Sequence, residues 1–130
     1  MERVASCRCG QLTATCRGEP ARVSVCHCLD CQARTGSAFG AQARFPIGDV
    51  AFAGEWRSWD RTTDEGNTGY NRWCPVCGTT IAYGSDGYPD SIALPLSAFA
   101  DELPPPTISV YEERRRLWVQ ITGTQVQHQH

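Results

Sequence analysis

Apolar and polar residues alternate with a period of two in several stretches of the chain, and no stretch shows a sustained helical stripe. Leu12, Ala14 and Cys16 alternate with threonines, and residues 39–45 repeat the pattern. This period is typical of β-strands with one buried face. Further short apolar or β-branched runs predict strands at residues 50–52, 56–59, 79–83, 91–94, 108–111 and 117–121. The pattern therefore predicts a mainly β fold.

Turn-forming residues separate these runs and leave room for one short helix. A turn or two of helix is predicted after Cys28, ending before Gly36. Residues 60–71 are polar and are predicted to form a loop. Residues 122–130 are also polar and are expected to fray. We therefore expect one domain over residues 1–121, followed by a polar tail over residues 122–130.

Composition and charge exclude several classes of function. The chain has 130 residues, enough for one domain, and a net charge of −2, which gives no global field favouring nucleic acid or an anionic membrane. No apolar run approaches the roughly 20 residues that span a bilayer. The N-terminus lacks the apolar stretch of a signal peptide, so a reducing cytoplasmic setting is expected. In that setting, clustered cysteines are more often metal ligands than disulfides.

The lysine and histidine content excludes or disfavours two types of catalysis. The chain has no lysine, which excludes Schiff-base catalysis through a lysine amine. Its three histidines are His27, between two clustered cysteines, and His128 and His130 at the end, so a Ser-His-Asp triad is disfavoured. The arginine run at residues 114–116 has glutamates beside it and is interpreted as a solvated turn.

Seven of the eight cysteines fall into three tight clusters. The clusters are Cys7 with Cys9, Cys26 with Cys28 and Cys31, and Cys74 with Cys77. Soft thiolates at such spacings select zinc or iron. Seven thiols divide naturally into a quartet that closes a structural site and a trio that leaves one coordination position open.

Spacing alone leaves two ways to form the quartet. Glycine follows Cys9 and Cys77, as expected where the backbone turns its N–H groups back towards the sulfurs, which favours Cys7, Cys9, Cys74 and Cys77. The alternative is a zinc ribbon of Cys28, Cys31, Cys74 and Cys77.

The trio of Cys26, Cys28 and Cys31 is the candidate catalytic site. His27 is a poor fourth ligand because both of its neighbours already point at the metal, and Cys16 is interpreted as a buried small hydrophobe on its strand face. An open zinc position captures a thiol substrate and stabilises its thiolate, which favours making or breaking C–S bonds. Without a metal, the trio would suit thiol–disulfide exchange.

Six short motifs occur in an order that resembles one known family. They are SCRCG (6–10), GEP (18–20), CHCLDC (26–31), RTGSAF (34–39), RWCPVCGT (72–79) and WV (118–119). This combination is similar to that of the glutathione-dependent formaldehyde-activating enzymes, a family that includes centromere protein V. The resemblance covers nearly the whole chain.

The resemblance implies a β-tent of small antiparallel sheets pinned by a structural zinc, with at most one short helix. It assigns that zinc to Cys7, Cys9, Cys74 and Cys77, and a second, catalytic zinc to the trio. It implies a carbon–sulfur lyase that acts on the adduct of a thiol such as glutathione with formaldehyde, with Arg34, Gly36 and Ser37 near the substrate. The alternative is a non-catalytic protein-interaction module of the same fold; nucleic-acid binding is disfavoured by the acidic balance.

Overall fold

Strands account for most of the regular structure in the computed structural model, which describes all residues from 1 to 130. In chain order the elements are β1 (Glu2–Ser6), β2 (Thr13–Arg17), β3 (Arg22–Cys26), α1 (Leu29–Thr35), β4 (Gly40–Pro46), β5 (Val50–Ala53), β6 (Arg57–Thr62), β7 (Thr68–Trp73), β8 (Thr80–Ser85), β9 (Ser91–Pro95), β10 (Ile108–Val110) and β11 (Gln127–His128). Three short 3-10 helices lie at Ile47–Asp49, Leu96–Ala98 and Glu112–Arg114. The predicted mainly β fold with one short helix is confirmed.

The strands form two sheets. The smaller sheet has the order β1-β2-β5, and the larger has the order β11-β10-β3-β4-β9-β8-β7-β6. Most neighbours are antiparallel, but β10 runs parallel to both β3 and β11. The central strands of the larger sheet therefore have neighbours on both sides, which fixes the positions of the side chains on β3 and β4.

The hydrophobic core lies between the small sheet and one face of the large sheet. Ala14 and Cys16 of β2 and Ala43 and Phe45 of β4 are all fully buried in it. These are the apolar positions of the two clearest alternating stretches, so the predicted period of two places them correctly. Cys16 is a core residue, as its strand position predicted.

The opposite face of the large sheet carries polar residues and is covered by α1. Gly40 of β4 lies opposite Cys26 of β3. A Cβ atom at Gly40 would lie 3.0 Å from Nη2 of Arg34 and 3.5 Å from Cβ of Cys31. The absence of a side chain at Gly40 therefore lets α1 approach the sheet closely.

Helix α1 begins and ends where the sequence predicted. Cys28 is the N-cap, and its Sγ accepts a hydrogen bond from the backbone N–H of Cys31. Gly36 ends the helix in the left-handed conformation with φ of 68°.

Two predicted segments differ from the structure. Residues 60–71, predicted to be a loop, contain parts of β6 and β7, which pair as a hairpin from Arg57↔Trp73 to Thr62↔Thr68. Their polarity misled the prediction because every residue of β6 except Arg61 is exposed, so the strand has no apolar face.

The segment at 117–121, predicted to be a strand, is a turn. The side chains of Leu117 and Trp118 are 95% and 79% exposed, and only Val119 is buried. The backbone N–H of Val119 donates to the carbonyl of Arg116, which closes a local turn instead of a strand pair.

Other strands carry weak sequence signals. The pattern did not predict β1 or β3. The polar residues 122–130, expected to fray, include β11, whose Gln127 and His128 pair with β10. The arginine run lies at the end of a 3-10 helix, in the turn region that was predicted for it.

The chain contains no helix of the length and apolarity that a bilayer crossing requires.

Candidate functional site

Four cysteines from two distant loops meet at one end of the core. The Sγ atoms of Cys7, Cys9, Cys74 and Cys77 all lie within 4.8 Å of one another. The first two follow β1, and the last two lie in the connection between β7 and β8. The quartet therefore joins the small sheet to the large one across about half of the chain.

Backbone and side-chain donors point at these sulfurs. Sγ of Cys7 accepts from the N–H of Leu12 at 3.3 Å, and Sγ of Cys74 accepts from Nε2 of Gln11 at 3.0 Å. The hydroxyl and the backbone N–H of Thr79 hydrogen-bond Cys77 and lower its pKa to about 5. Donors of this kind stabilise thiolates, which are the form that binds a metal.

The glycine that follows each pair of thiols has the predicted role. Gly10 has φ of 87° and Gly78 has φ of 78°, so both adopt the left-handed backbone that turns each loop back on itself. Four converging thiols with N–H donors fit a closed tetrahedral zinc site. The quartet residues are placed to hold such an ion.

The second group contains Cys26, Cys28 and Cys31, with their Sγ atoms also within 4.8 Å of one another. Cys26 is the last residue of β3, Cys28 caps α1, and Cys31 lies in its first turn. The junction between β3 and α1 thus brings together three thiols that lie within a segment of six residues. The sulfurs form two separate groups, so the alternative ribbon, in which Cys28 and Cys31 join Cys74 and Cys77, does not form.

The electrostatic environment of the trio is set by hydrogen bonds among its thiols and by the nearby Arg34. Hydrogen bonds from the Cys26 and Cys31 thiols lower the pKa of Cys28, and the same contacts raise the pKa of Cys26. Nη2 of Arg34 lies 3.6 Å from Sγ of Cys31. The guanidinium of Arg34 also stacks on the ring of Tyr83, with Cζ 3.7 Å from the ring centroid. A cation is therefore fixed beside the three thiols, where negative charge would accumulate.

A cavity of about 370 Å³ opens onto the trio. Besides the three cysteines, its lining includes three arginines and four tyrosines, namely Arg22, Arg44, Arg61, Tyr70, Tyr83, Tyr88 and Tyr111. Three sulfur ligands that face a cavity leave room for a further ligand. The trio therefore fits a metal site with one open position.

The β6–β7 hairpin covers one side of this cavity; β7 pairs with β8 in the sheet, and two side-chain contacts link the hairpin to elements across the cavity. Arg61 of β6 forms an ion pair with Asp30 of α1 at 3.0 Å. The Tyr111 hydroxyl donates to Oε1 of Glu65, in the hairpin turn, at 3.2 Å. Burial, followed by the Glu65 charge, raises the pKa of Tyr111 to about 12, so its hydroxyl stays protonated at neutral pH.

Tyr111 is also the only non-glycine residue with positive φ, at 55°. A bulky residue in this conformation is uncommon and marks a turn or a strained position. Tyr111 directly follows β10, and its side chain lines the cavity.

The three predicted substrate residues lie in different places. Arg34 contacts Cys31 and Tyr83 and is absent from the cavity lining. Gly36 and Ser37 line a separate shallow depression, on another face of α1, together with Trp118. Their role in substrate binding stays a prediction.

His27 is turned away from the trio. It is fully buried, and its Nε2 hydrogen-bonds Oγ of Ser109 at 2.9 Å. Burial lowers its pKa, so the ring is neutral. This geometry agrees with the expectation that His27 is a poor fourth ligand.

Sequence reasoning missed six residues around the two sites: Gln11, Arg22, Gly40, Arg44, Tyr83 and Tyr111. A signal for two of them was present, because the alternation over residues 39–45 implies a second face formed by Gly40, Gln42 and Arg44. Gln11 and Tyr83 act across long sequence separations, and no local pattern marks them.

The fold and the two cysteine groups together define a small β protein with one group of four thiols and one group of three, each of which could hold a metal ion. The sequence model of the glutathione-dependent formaldehyde-activating enzymes matches residues 2–114. The chain belongs to this family. Its membership supports a glutathione-related function and a thiol partner, and the cysteine groups are suited to a metal.

Among solved structures, one that is similar to this chain in fold comes from a bacterium. It is the crystal structure of a Rhodobacter sphaeroides protein determined as a Northeast Structural Genomics target, with a TM-score of 0.60 and 16% identity. The match covers 78% of this chain and 91% of that protein. At this identity the likeness extends to the fold alone. No curated protein matches the chain.

Proposed function

We propose that the protein is a zinc-dependent carbon–sulfur lyase that makes and breaks the adduct of a glutathione-like thiol with formaldehyde or a related aldehyde. The observation that carries the proposal is the trio of Cys26, Cys28 and Cys31 at a cavity lined by arginines and tyrosines. The family's dependence on glutathione supports the choice of thiol.

Two zinc ions per chain form part of the proposal. Cys7, Cys9, Cys74 and Cys77 would hold a structural ion, and Cys26, Cys28 and Cys31 would hold a second one. When bound, the second ion would stabilise the substrate sulfur as a thiolate in its open position.

Residues of the chain would balance charge and position the reacting groups. Arg34 offsets the negative charge that three thiolates bring together, and it orients Cys31. In the reaction, the substrate sulfur forms a bond to the aldehyde carbon while the C=O π bond breaks. The thiol proton is lost and the former carbonyl oxygen gains a proton, giving the hydroxymethyl thioether. The Tyr111 hydroxyl lines the same cavity as Cys26 and Cys28; because its own proton is donated to Glu65, its oxygen would accept a hydrogen bond from the hydroxyl group that forms on the adduct.

The test is the rate of adduct exchange, measured by carbon-13 exchange NMR with labelled formaldehyde and glutathione. The zinc-loaded protein should accelerate exchange above the spontaneous rate, and Cys28→Ser should reduce it to background. Cys16→Ala is the matched control, because it removes a thiol that lies outside both groups. It should cost on the order of 1 kcal/mol of stability and leave the exchange rate unchanged. Exchange at background rates in the loaded wild type would refute the proposal.

A second candidate is the non-catalytic interaction module, which one observation favours. Leu29, Leu117 and Trp118 are exposed, and Leu29 and Trp118 share the depression that contains Gly36 and Ser37. Such exposed apolar side chains are typical of contact surfaces. This candidate replaces the enzyme if the loaded protein neither binds glutathione nor accelerates adduct exchange.

A further inference from the structure

Two arginines face each other on the cavity side of the large sheet. Arg22 of β3 is the direct cross-strand partner of Arg44 of β4, and both line the cavity that contains the cysteine trio. Like charges placed directly opposite in a sheet repel each other. This pair is therefore unfavourable unless an anion lies between or beside the two guanidinium groups.

No carboxylate of the chain supplies that anion. The four ion pairs are Arg3–Glu19, Arg17–Asp49, Arg61–Asp30 and His128–Glu112. The two acids that line the cavity, Asp30 and Glu65, are already engaged by Arg61 and by Tyr111. Arg22 and Arg44 therefore have no carboxylate partner, although Cζ of Arg44 also lies 5.8 Å from the centroid of the Tyr88 ring.

Arg44 is poorly satisfied where it lies. One Nη donates to Oγ of Ser91 at 3.2 Å, while its Nε is buried without a hydrogen-bond partner. Burial, followed by the charge of Arg22, lowers the pKa of Arg44 below its usual value. The side chain of Arg22 makes no hydrogen bond within the chain. The Arg22 guanidinium and the second Nη of Arg44 therefore have no partner in the chain, whereas the buried Nε of Arg44 is closed to a ligand.

The position of the pair suits one end of a ligand whose other end reaches the trio. Arg22 and Cys26 lie on the same face of β3, four residues apart, which corresponds to roughly 13 Å along the strand. Gln42 of β4 lies between them and also lines the cavity. The cavity thus offers a sulfur site, an amide in the middle and a cationic end.

We propose that Arg22 and Arg44 form a subsite for a carboxylate of the substrate, so that the cavity selects peptide-like thiols that carry a carboxylate over neutral thiols. The position of the sulfur rests on the proposed function, but the anion subsite does not. A carboxylate is favoured because the cavity of about 370 Å³ has room for a peptide-like ligand that spans from the arginine pair to the trio, and the anionic groups of such a peptide are carboxylates.

The test measures the affinity of zinc-loaded protein for S-methylglutathione by titration calorimetry. This probe keeps both carboxylates but has no free thiol. Arg22→Gln and Arg44→Gln should each weaken binding by about tenfold, because each removes a charge-assisted contact. Arg57→Gln is the matched control, since Arg57 is an exposed strand arginine outside the cavity, and it should bind as the wild type does.

The diethyl ester of the same probe identifies the group that is recognised. The wild type should bind the ester at least about tenfold more weakly than the acid, and Arg44→Gln should lose most of that preference. Equal affinity of the wild type for acid and ester would overturn the inference. A preference that survives intact in both cavity variants would also overturn it.

Two further readouts guard against simpler explanations. Without ligand, Arg22→Gln and Arg44→Gln should melt no lower than the wild type, because each removes a repulsion; a clear loss of stability in both would mean that the arginines serve the fold. Inorganic phosphate should compete with the probe more weakly than succinate does. If it competes more strongly, the pair is a phosphate site and the carboxylate assignment is wrong.

The failure of this inference and the failure of the proposed function can be told apart. Arginine-dependent binding of S-methylglutathione without adduct exchange would refute the lyase and leave the subsite standing. Adduct exchange that is unaffected by either cavity variant, together with arginine-independent binding of the probe, would refute the subsite and leave the lyase standing.

Discussion

Gly40 is a residue on which the geometry of the trio depends. It lies opposite Cys26, and a methyl group there would come within 3.0 Å of Arg34 and 3.5 Å of Cys31. The 3.0 Å contact would require the Arg34 guanidinium to shift by a few tenths of an ångström, whereas 3.5 Å is an ordinary van der Waals contact. Gly40 therefore leaves room for the Arg34 guanidinium beside Cys31.

We predict that Gly40→Ala weakens zinc binding at the trio by about tenfold while the protein stays folded, since displaced ligands and supporting groups typically cost 10- to 100-fold in affinity. Gly48→Ala is the control, because nothing lies within 4 Å of its added methyl group and it should bind zinc normally. Competition with a chromophoric chelator measures both affinities. Equal zinc affinities in the two variants would contradict this account of Gly40.

Arg34 provides a second test at this scale. Its guanidinium contacts Sγ of Cys31 and the face of Tyr83. We predict that Arg34→Gln lowers zinc affinity at the trio by about tenfold, because the charge that offsets the thiolates is lost. If instead the affinity is unchanged and only the KM for glutathione rises, Arg34 binds substrate, as the family resemblance implies. Zinc competition and steady-state kinetics separate the two outcomes.

Among the elements, the β6–β7 hairpin is joined to the sheet by the pairing of β7 with β8, and two side-chain contacts link it to other elements across the cavity. The Arg61–Asp30 pair joins it to α1, and the Glu65–Tyr111 hydrogen bond joins it to the end of β10. Most side chains of β6 are exposed, so little apolar burial stabilises this edge of the sheet.

We predict that Arg61→Gln increases amide hydrogen exchange in residues 57–73 severalfold and leaves exchange in β4 and β9 unchanged. Arg57→Gln, on the same strand but outside the ion pair, should show no such change. Hydrogen-exchange mass spectrometry reads both variants. Uniform exchange increases across the chain after the Arg61 change would mean that the pair stabilises the whole fold instead of the hairpin.

The elements also show how far the sequence predicts this structure. The alternation at residues 12–16 and 39–45 identified strands whose apolar faces are buried in the core. The first half of β6 was predicted by the run at 56–59, but its polar second half was predicted to be a loop because it has no apolar face. The apolar residues Leu117 and Trp118 were predicted to be part of a strand, but they are exposed and lie in a turn. Alternation with a period of two reveals a strand only when one face of that strand is buried. It does not detect a strand that pairs in a sheet but has no buried apolar face.

The two cysteine groups were predictable because their ligands come in close sequence pairs. Spacing alone did not determine whether Cys74 and Cys77 group with Cys7 and Cys9 or with Cys28 and Cys31. That choice depends on β-sheet topology, which brings the loop after β1 to the β7–β8 connection and ends β3 at α1. The facing arginines Arg22 and Arg44 depend on strand register, which no local pattern reveals.

For the whole molecule, the two groups should contribute unequally to stability. Cys7 and Cys74 are part of the hydrophobic core and join distant strands, whereas the trio comes from one short segment. Structural zinc sites contribute on the order of 10 kcal/mol to folding. The quartet should therefore hold the fold, and the trio should not.

We predict that Cys77→Ser is purified unfolded or with greatly reduced stability, whereas Cys28→Ser is folded and has lost one zinc ion. A graded chelator titration of the wild type should likewise release one ion without a change in circular dichroism and a second together with unfolding. Elemental analysis and circular dichroism provide the readouts. If Cys28→Ser unfolds as completely as Cys77→Ser, the trio is a structural site.

The most direct measurement is anomalous scattering from crystals of the protein at the zinc absorption edge. The account predicts two peaks per chain, one within bonding distance of Cys7, Cys9, Cys74 and Cys77 and the other bound by Cys26, Cys28 and Cys31 alone. A single peak at the quartet, in crystals grown with excess zinc, would contradict the claim that the trio is a metal site with a free position.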